Sequence, residues 1–334
     1  MPRRTPAGPA AITALVLLLA ALLLLVLPPR ASGEVRTIVS FDATAGQNPE
    51  GLAVDGDGTV FVSFAALGQL ARVEPGAAEA EPFGTVPGID PLAGDFGLLG
   101  LAVGPDGDVY GAVLATAARG VWRFDHRTGE SERVPGTEAI GFPNGVAFDA
   151  HGDLYVTSSS EGVSATGALQ GGIWRVARDG SVERLLVHEA LGGLGEIVPV
   201  GVGANGIEWR DEVLYVTNTE KALLVTIDVE RDGSLGAPQV VASDPALRGA
   251  DGLALDGRGN AYVAVIEQST VVRVARDGTI EPVAGAADGL DWPSSVAFGT
   301  RKGDRRTLYA VNFAIGPMFG APPGAGPALL TIGT

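Results

Sequence analysis

Four residues of this 334-residue chain are of a type and spacing that could share one cation: Glu50, Asn144, Asn205 and Asp251. Each stands immediately before a glycine, at the same place in a stretch that the chain repeats six times, as in PEGLAVDGDGTVFVSF from Pro49, PNGVAFDAHGDLYVTS from Pro143 and ADGLALDGRGNAYVAV from Ala250. Superposing the six stretches gives a column of Glu50, Leu99, Asn144, Asn205, Asp251 and Ser294, with separations of 49, 45, 61, 46 and 43 residues. Two carboxylates and two amide carbonyls are hard oxygen donors, the set that calcium prefers, and four side chains leave room for water and substrate in a shell of about 6–8 ligands. The charges of Glu50 and Asp251 match a divalent ion, with zinc, magnesium and manganese as alternatives to calcium. Carboxylates placed so close together repel unless a proton or cation is shared. Singly, an Asn or Asp before Gly is a turn former. Leu99 and Ser294 at the same place show that the turn itself requires neither an acid nor an amide.

The repeat explains how residues so far apart in sequence could meet. Each stretch reads as a strand, a Gly-rich turn and a second strand with period-2 apolar positions, followed by two further strands. In the first unit these are Leu70 to Val73 and Glu81 to Val86. Four strands per unit and about 40–50 residues between units are the signature of a propeller blade. Arg-Val-Ala-Arg-Asp-Gly at 175–180 and again at 273–278 marks internal duplication. The longest interval holds two Gly-rich insertions, Ser158 to Gly172 and Glu189 to Gly203, expected as rim loops. The sixth unit lacks its outer strand, and Glu34 to Phe41 alternates like a strand with no hairpin partner. The expected architecture is an all-β, six-bladed β-propeller over residues 34–334, its ring closed by the N-terminal strand completing the last blade. The first strand of each blade would line the channel and gather the column at one mouth.

Residues 1–33 combine Arg3-Arg4, an apolar run from Ala10 to Leu27 broken only by Thr13, and small residues at Ala31 and Gly33. They read as a secretory signal or, uncleaved, a membrane anchor, which places the protein outside the cytoplasm: extracellular, periplasmic or at the cell surface. Without Arg3, Arg4 and Arg30 the remainder has 20 basic against 39 acidic residues, a net charge of −19, which argues against a nucleic-acid or anionic-membrane partner. The expected partner is a small-molecule substrate, and a monomer is expected. The absence of cysteine excludes a disulfide framework, a thiolate zinc site and a Cys nucleophile.

The six-bladed pattern with Glu50, Asn144, Asn205 and Asp251 in that order resembles the family of gluconolactonase, senescence marker protein (regucalcin) and luciferin-regenerating enzyme. Diisopropyl fluorophosphatase and paraoxonase are more distant likenesses. The resemblance runs from Glu34 to the C-terminus. It implies that these four residues bind calcium or another divalent ion, that Asp251 doubles as general base or nucleophile, and that lactones or related esters, occasionally phosphotriesters, are hydrolysed. Such chemistry is coherent with the residues, since a bound cation can polarise a carbonyl beside a carboxylate.

Other channel-side candidates are Leu99, Phe142, Asn218, Trp292, Ser294 and Asn312, expected to face substrate or to form the pocket wall. Leu99, where a sugar-lactone enzyme would place a polar contact, points to a bulkier or more apolar substrate. His126, His151 and His188 fall outside the column, so a paraoxonase-like His dyad is not supported. Gly-x-Ser-x-Gly is absent and Lys302 lacks a phosphate-binding loop, which removes serine-hydrolase and nucleotide-hydrolase readings. Asp55-Gly56-Asp57-Gly58 resembles a calcium loop but recurs as the hairpin turn of other units. The alternatives are a non-catalytic, NHL-like propeller that binds a protein or glycan at its rim around a structural metal, and a streptogramin-type lyase, which needs a channel histidine that cannot be placed.

Overall fold

The computed structural model describes residues 34–89 and 96–334, within which the strands form six four-stranded antiparallel sheets. The leader reading for residues 1–33 lies outside the described residues. Among the described residues there is no α-helix, only short 3-10 turns. The inner strands are Pro49–Val54, Leu98–Val103, Pro143–Phe148, Ala204–Arg210, Ala250–Leu255 and Pro293–Phe298. Each is hairpinned to a second strand, and consecutive inner strands pack side by side around the ring, Pro293–Phe298 returning to Pro49–Val54. This is the six-bladed β-propeller expected from the repeat.

Val35–Ser40 is the outer strand of the sixth sheet, paired antiparallel with Ala328–Gly333 from Val35 opposite Ile332 to Ser40 opposite Ala328. The first and last described strands therefore lie in one sheet, and the outer edge of Ala328–Gly333 is covered rather than left as a template for other strands. Val39, Val311 and Leu329 are buried there against the first blade's Val62 and Phe64, so one apolar cluster fastens the seam.

Why a glycine follows the column in five of the six blades is visible in the packing of the inner strands. A Cβ on Gly51 would stand 2.2 Å from the Leu99 carbonyl oxygen, one on Gly145 2.4 Å from that of Asn205, and one on Gly206 2.5 Å from that of Asp251. Only a residue without a side chain lets the strands approach so closely. In each blade the register between the inner and second strands also shifts just beside the column, between Pro49 and Leu52 in the first and between Ala250 and Leu253 in the fifth. Bulges of this kind bend a strand and re-aim a side chain. Here they occur where the column residues meet the axis.

The Asp-Gly turns are structural, as the sequence suggests. Asp55 Oδ1 accepts from the backbone N–H groups of Asp57 and Thr59 at 2.9 and 2.8 Å, and Asp149 and Asp256 do the same in the third and fifth blades. Gly58 takes a φ of 87°, the left-handed region that glycine enters at little cost. Their carboxylates are thus committed to closing hairpins.

The Glu189–Gly203 insertion is pinned from inside by Glu220, which is 1 % exposed. Its Oε1 accepts from the N–H groups of Ile197 and Val202, both at 3.0 Å, and its Oε2 from Gly195 at 2.7 Å and from Leu194. Burial alone would raise this carboxyl, but the converging N–H groups outweigh it and hold the pKa below the ordinary value. A single carboxylate so shapes the rim between blades three and four.

Gly145→Ala tests the tight approach of the inner strands. A new methyl at 2.4 Å from a carbonyl oxygen must push two blades apart, and a loss of about 1–3 kcal/mol in urea unfolding is expected. Gly56→Ala, where nothing lies within 4 Å of the added Cβ, is expected to change stability by under about 0.5 kcal/mol.

Candidate functional site

The six column residues open the inner strands at one end of the ring, and all are recessed: Glu50 and Asp251 are each 7 % exposed, Asn205 6 %, Asn144 5 %, Leu99 3 % and Ser294 1 %. Their backbones are held by hydroxyls that reach from blade to blade. Ser63 donates to the Leu99 carbonyl at 2.9 Å, Thr157 to that of Asn205 at 2.6 Å and Thr217 to that of Asp251 at 2.6 Å. Ser294 closes the series with a 2.8 Å bond to the Glu50 carbonyl. In blades one, three and four the second strand, and in blade six the column residue itself, thereby holds the next column position; blades two and five carry Ala112 and Ala264 at the equivalent place.

A second set of hydroxyls orients the two amides. Asn144 Nδ2 donates to Ser159 Oγ at 3.2 Å and Asn205 Nδ2 to Thr219 Oγ1 at 3.0 Å. Ser159 Oγ has its own proton on the Ala204 carbonyl at 2.7 Å, and Thr219 Oγ1 on that of Ala250 at 2.8 Å. A carbonyl can only accept, so each hydroxyl must receive its second bond from the NH₂ side of the amide, which settles which way the amide lies. This fixes the NH₂ of each amide on its hydroxyl and leaves both Oδ1 atoms without a hydrogen bond to these hydroxyls, while the Asn205 side chain also reaches the Asp251 carboxylate. Sequence reasoning did not identify Ser159 and Thr219. A signal existed: the residue that follows the second strand is Ala65, Leu114, Ser159, Thr219, Ile266 and Phe313 around the ring, a hydroxyl only in the two Asn blades.

The carboxylates are less well provided for. Glu50 Oε2 is buried with no hydrogen-bond partner. Burial pushes its carboxyl well above the usual range, and the charge of Asp251 pushes in the same direction. Burial also raises Asp251, to about 8, against the smaller opposing pull of the Asn205 side chain and the Gly252 N–H. An orphaned carboxylate oxygen, a second carboxylate coupled to it and two oriented amide oxygens fit a hard divalent cation, which would favour the ionised forms that burial disfavours.

Three of the channel-side candidates have their polar groups committed to the protein itself. Asn218 is fully buried, its Nδ2 donating to the carbonyls of Ala190 and Gly192 at 2.9 and 3.0 Å while its Oδ1 accepts from Lys221 N at 2.9 Å. Asn312 is used in the same way by Gly289, Gly326 and Asp291. Ser294 is the strand-joining hydroxyl already described. All three are committed to backbone groups of loops or neighbouring strands that are remote in sequence or register. Leu99 and Trp292 do lie in the wall of the mouth, in one apolar cluster with Phe313 and Ile315, and Phe142 is half-buried beside Pro143.

The histidines lie away from the column. His126 Nδ1 meets Asp108 Oδ1 at 2.6 Å, His188 Nδ1 accepts from Ala190 N at 3.0 Å, and His151 is in an exposed turn. Asp108, Asp125 and His126 form a second group with ligand atoms within 4.8 Å of one another, at the end of the second blade opposite the column. There Asp108 is already bound by Arg123 at 2.6 Å, and Asp125 by the N–H groups of Arg127 and Thr128. Beneath the column the channel widens into a cavity of about 440 Å³, lined chiefly by the apolar far halves of the inner strands. Glu208 is its only carboxylate, and burial raises it to about 7.

A family model for the SMP-30/Gluconolactonase/LRE-like region matches residues 95–312, which takes in five column positions and leaves Glu50 outside. Among solved structures, regucalcin from Agrobacterium tumefaciens, a calcium-binding protein, is 17 % identical with a TM-score of 0.64 over 89 % of this chain and 92 % of that one. A gluconolactonase from Xanthomonas campestris is 16 % identical with a TM-score of 0.61, over 90 % and 89 %. Luciferin-regenerating enzyme is 16 % identical with a TM-score of 0.63, over 90 % and 95 %. At such identities the likeness is one of fold. No curated protein matches the chain.

Raised carboxyl pKa values make the cation-free protein sensitive to pH. Carboxyls titrate near 4 when unfolded. Between that value and about 8 the folded protein holds more protons at Asp251 than the unfolded chain, so this contribution to stability declines as pH rises through the window. In chelator, the melting temperature of the wild type relative to a Glu50→Gln, Asp251→Asn variant is expected to fall from pH 5 to pH 8. Added calcium should raise the wild-type melting temperature more at pH 8 than at pH 5; an equal rise at both would argue against the carboxylate pair as its site. Ser159→Ala and Thr219→Ala, which release the amides, are expected to weaken calcium binding about 10–100-fold by calorimetry without loss of the fold.

Proposed function

Since the chain belongs to the SMP-30/gluconolactonase/LRE-like family, we propose that it is an exported hydrolase, dependent on a divalent cation, that opens a lactone or related ester. The observation that carries this reading is the buried, unpartnered Glu50 Oε2, coupled to Asp251 in a ring whose two amides are already oriented. Glu50, Asn144, Asn205 and Asp251 are the residues proposed to hold the cation, calcium by their oxygen chemistry. The shared fold with a gluconolactonase and with a calcium-binding regucalcin supports the assignment. Bound there, the cation would supply Lewis-acid polarisation of the ester carbonyl.

The chain's own residues account for the rest. Asp251, whose ionised form a bound positive charge would favour, takes the proton from a water that adds to the ester carbonyl and returns that proton to the leaving alkoxide; as nucleophile it would instead form an acyl-aspartate while the alkoxide leaves with a proton from water, and a second water would then hydrolyse the acyl-aspartate. Glu50 serves as a ligand. Thr217, through the Asp251 carbonyl, and Ser294, through that of Glu50, keep both carboxylates in register from neighbouring blades. The recessed column limits access of bulk water to the reacting group. Export is proposed from residues 1–33 alone.

Elemental analysis of the purified protein and its variants, with a screen of lactones and aryl esters, tests the reading. One calcium per chain is expected in the wild type and none in Glu50→Ala. Asp251→Asn is expected to cut kcat roughly 10²–10⁴-fold. A variant that keeps both metal and full activity would remove Asp251 from the reaction, and a metal-free, inactive wild type would leave a propeller that only binds at its rim.

A further inference from the structure

The mouth around the column is chemically divided. Blades three and four carry the amides and the hydroxyls that orient them, whereas the arc running from blade five through six and one to blade two carries one continuous apolar cluster, including Leu99, Ile266, Phe313, Ile315 and Trp292. Leu99 belongs both to this cluster and to the column, so the wall begins where the carboxylates end. Aromatic pairs carry it outward: Phe313 meets Phe96 with ring centroids 5.7 Å apart, and Trp292 stacks on Phe319 at 5.6 Å and 11°. Phe96, Phe319 and Met318 are 38, 61 and 74 % exposed, and Leu194, Ile197 and Val200 stand exposed on the insertion at the opposite rim. Among the described residues, Val240 alone of the eight large exposed hydrophobics lies away from the loops at this end of the ring.

Apart from the column carboxylates, and from Arg119 Nε and Thr270 Oγ1, which are buried without a partner, the polar side chains of that arc are largely committed. Ser294 bonds the Glu50 carbonyl, Asn312 holds three backbone groups, Asp291 Oδ2 accepts from Gly326 N at 2.8 Å and Ser269 Oγ from Trp292 N at 3.1 Å. A polyhydroxylated substrate lying against this wall would lose its hydration and gain few partners, a cost that a wall built chiefly from hydrocarbon offsets poorly. An alkyl or aromatic group there would instead leave water for a surface of matching character.

We propose that the substrate is an uncharged lactone or ester with an apolar body, its reactive carbonyl at the column and its alkyl or aryl part along the wall from Leu99 to Phe319. This inference rests on the hydrolase reading above and adds the substrate class. Leu99 and Phe319 mark the inner and outer ends of the specificity surface.

The test is a series of γ-alkyl lactones with side chains of two to eight carbons, beside glucono-δ-lactone, given to the full-length protein in calcium. kcat/KM is expected to rise about two- to fourfold with each added methylene, carried by KM. Leu99→Gln and Phe319→Ser are expected to flatten that dependence, and Phe319, on the surface, can be replaced without risk to the fold. Binding of the corresponding γ-alkyl lactams, read by tryptophan fluorescence and compared with Trp292→Phe, follows the wall without turnover. Hydrolysis with no chain-length dependence, or with the sugar lactone preferred, overturns the apolar substrate and leaves the hydrolase reading intact. No hydrolysis of any lactone, but lactam binding that strengthens with chain length and weakens in Phe319→Ser, supports the wall and overturns the hydrolase reading. Neither hydrolysis nor binding overturns both.

Discussion

Two carboxylates held together where little water reaches them are the constraint around which the rest of this propeller is arranged. Glu50 and Asp251 come from blades one and five, and their pairing is only partly compensated by the Asn205 side chain and the Gly252 N–H: one oxygen is orphaned and both acids are pushed upward by burial. A fold tolerates such a pair only where surrounding structure holds it against relaxation. The restraint is supplied by backbone packing so close that five of the six blades place glycine after the column, and by a relay of hydroxyls that binds four of the six column carbonyls to a neighbouring blade. Closure of the ring matters for the same reason. The relay from Ser294 to Glu50 joins the last inner strand to the first, and it persists only while Val35–Ser40 and Ala328–Gly333 keep the sixth blade complete.

Polar residues at the mouth thus divide by what they touch. Asn144 and Asn205 give their NH₂ groups to hydroxyls whose own protons are already used, which leaves their carbonyl oxygens free of those hydroxyls. Asn218 and Asn312 have the same side chain in the same propeller, yet donate twice and accept once from loop backbone, which leaves nothing for a ligand. The acids divide in the same way: Asp55, Asp149 and Asp256 close turns, and Glu220 gathers the N–H groups of an insertion, whereas in the column pair Glu50 keeps an oxygen without a partner. What the residues around a side chain have already claimed decides whether it is available for chemistry.

Much of this was legible in the chain itself, because six imperfect copies of one hairpin serve as their own comparison. The strand count, the orphan strand at Glu34 to Phe41 and the column could be read from periodicity, since a propeller blade imposes the same pattern of alternating burial each time it is built. The hydroxyls at Ser159 and Thr219 lay within reach of the same comparison, 15 and 14 residues beyond their asparagines. Ser294, Asn218 and Asn312 were not separable from true channel residues in this way. Their partners are backbone groups, which carry no residue-type signal, brought close by loops and by the return of the ring.

The sequence by itself determined the architecture and the list of oxygen donors, because period-2 burial, turn chemistry and repeat length are local properties that survive without coordinates. The tertiary structure alone decided which donors are free, that one carboxylate oxygen is left without a partner, and that the mouth has an apolar arc facing an amide-bearing one. Those facts depend on which groups from different blades meet, and hydrogen-bond saturation and desolvation exist only once the ring is closed.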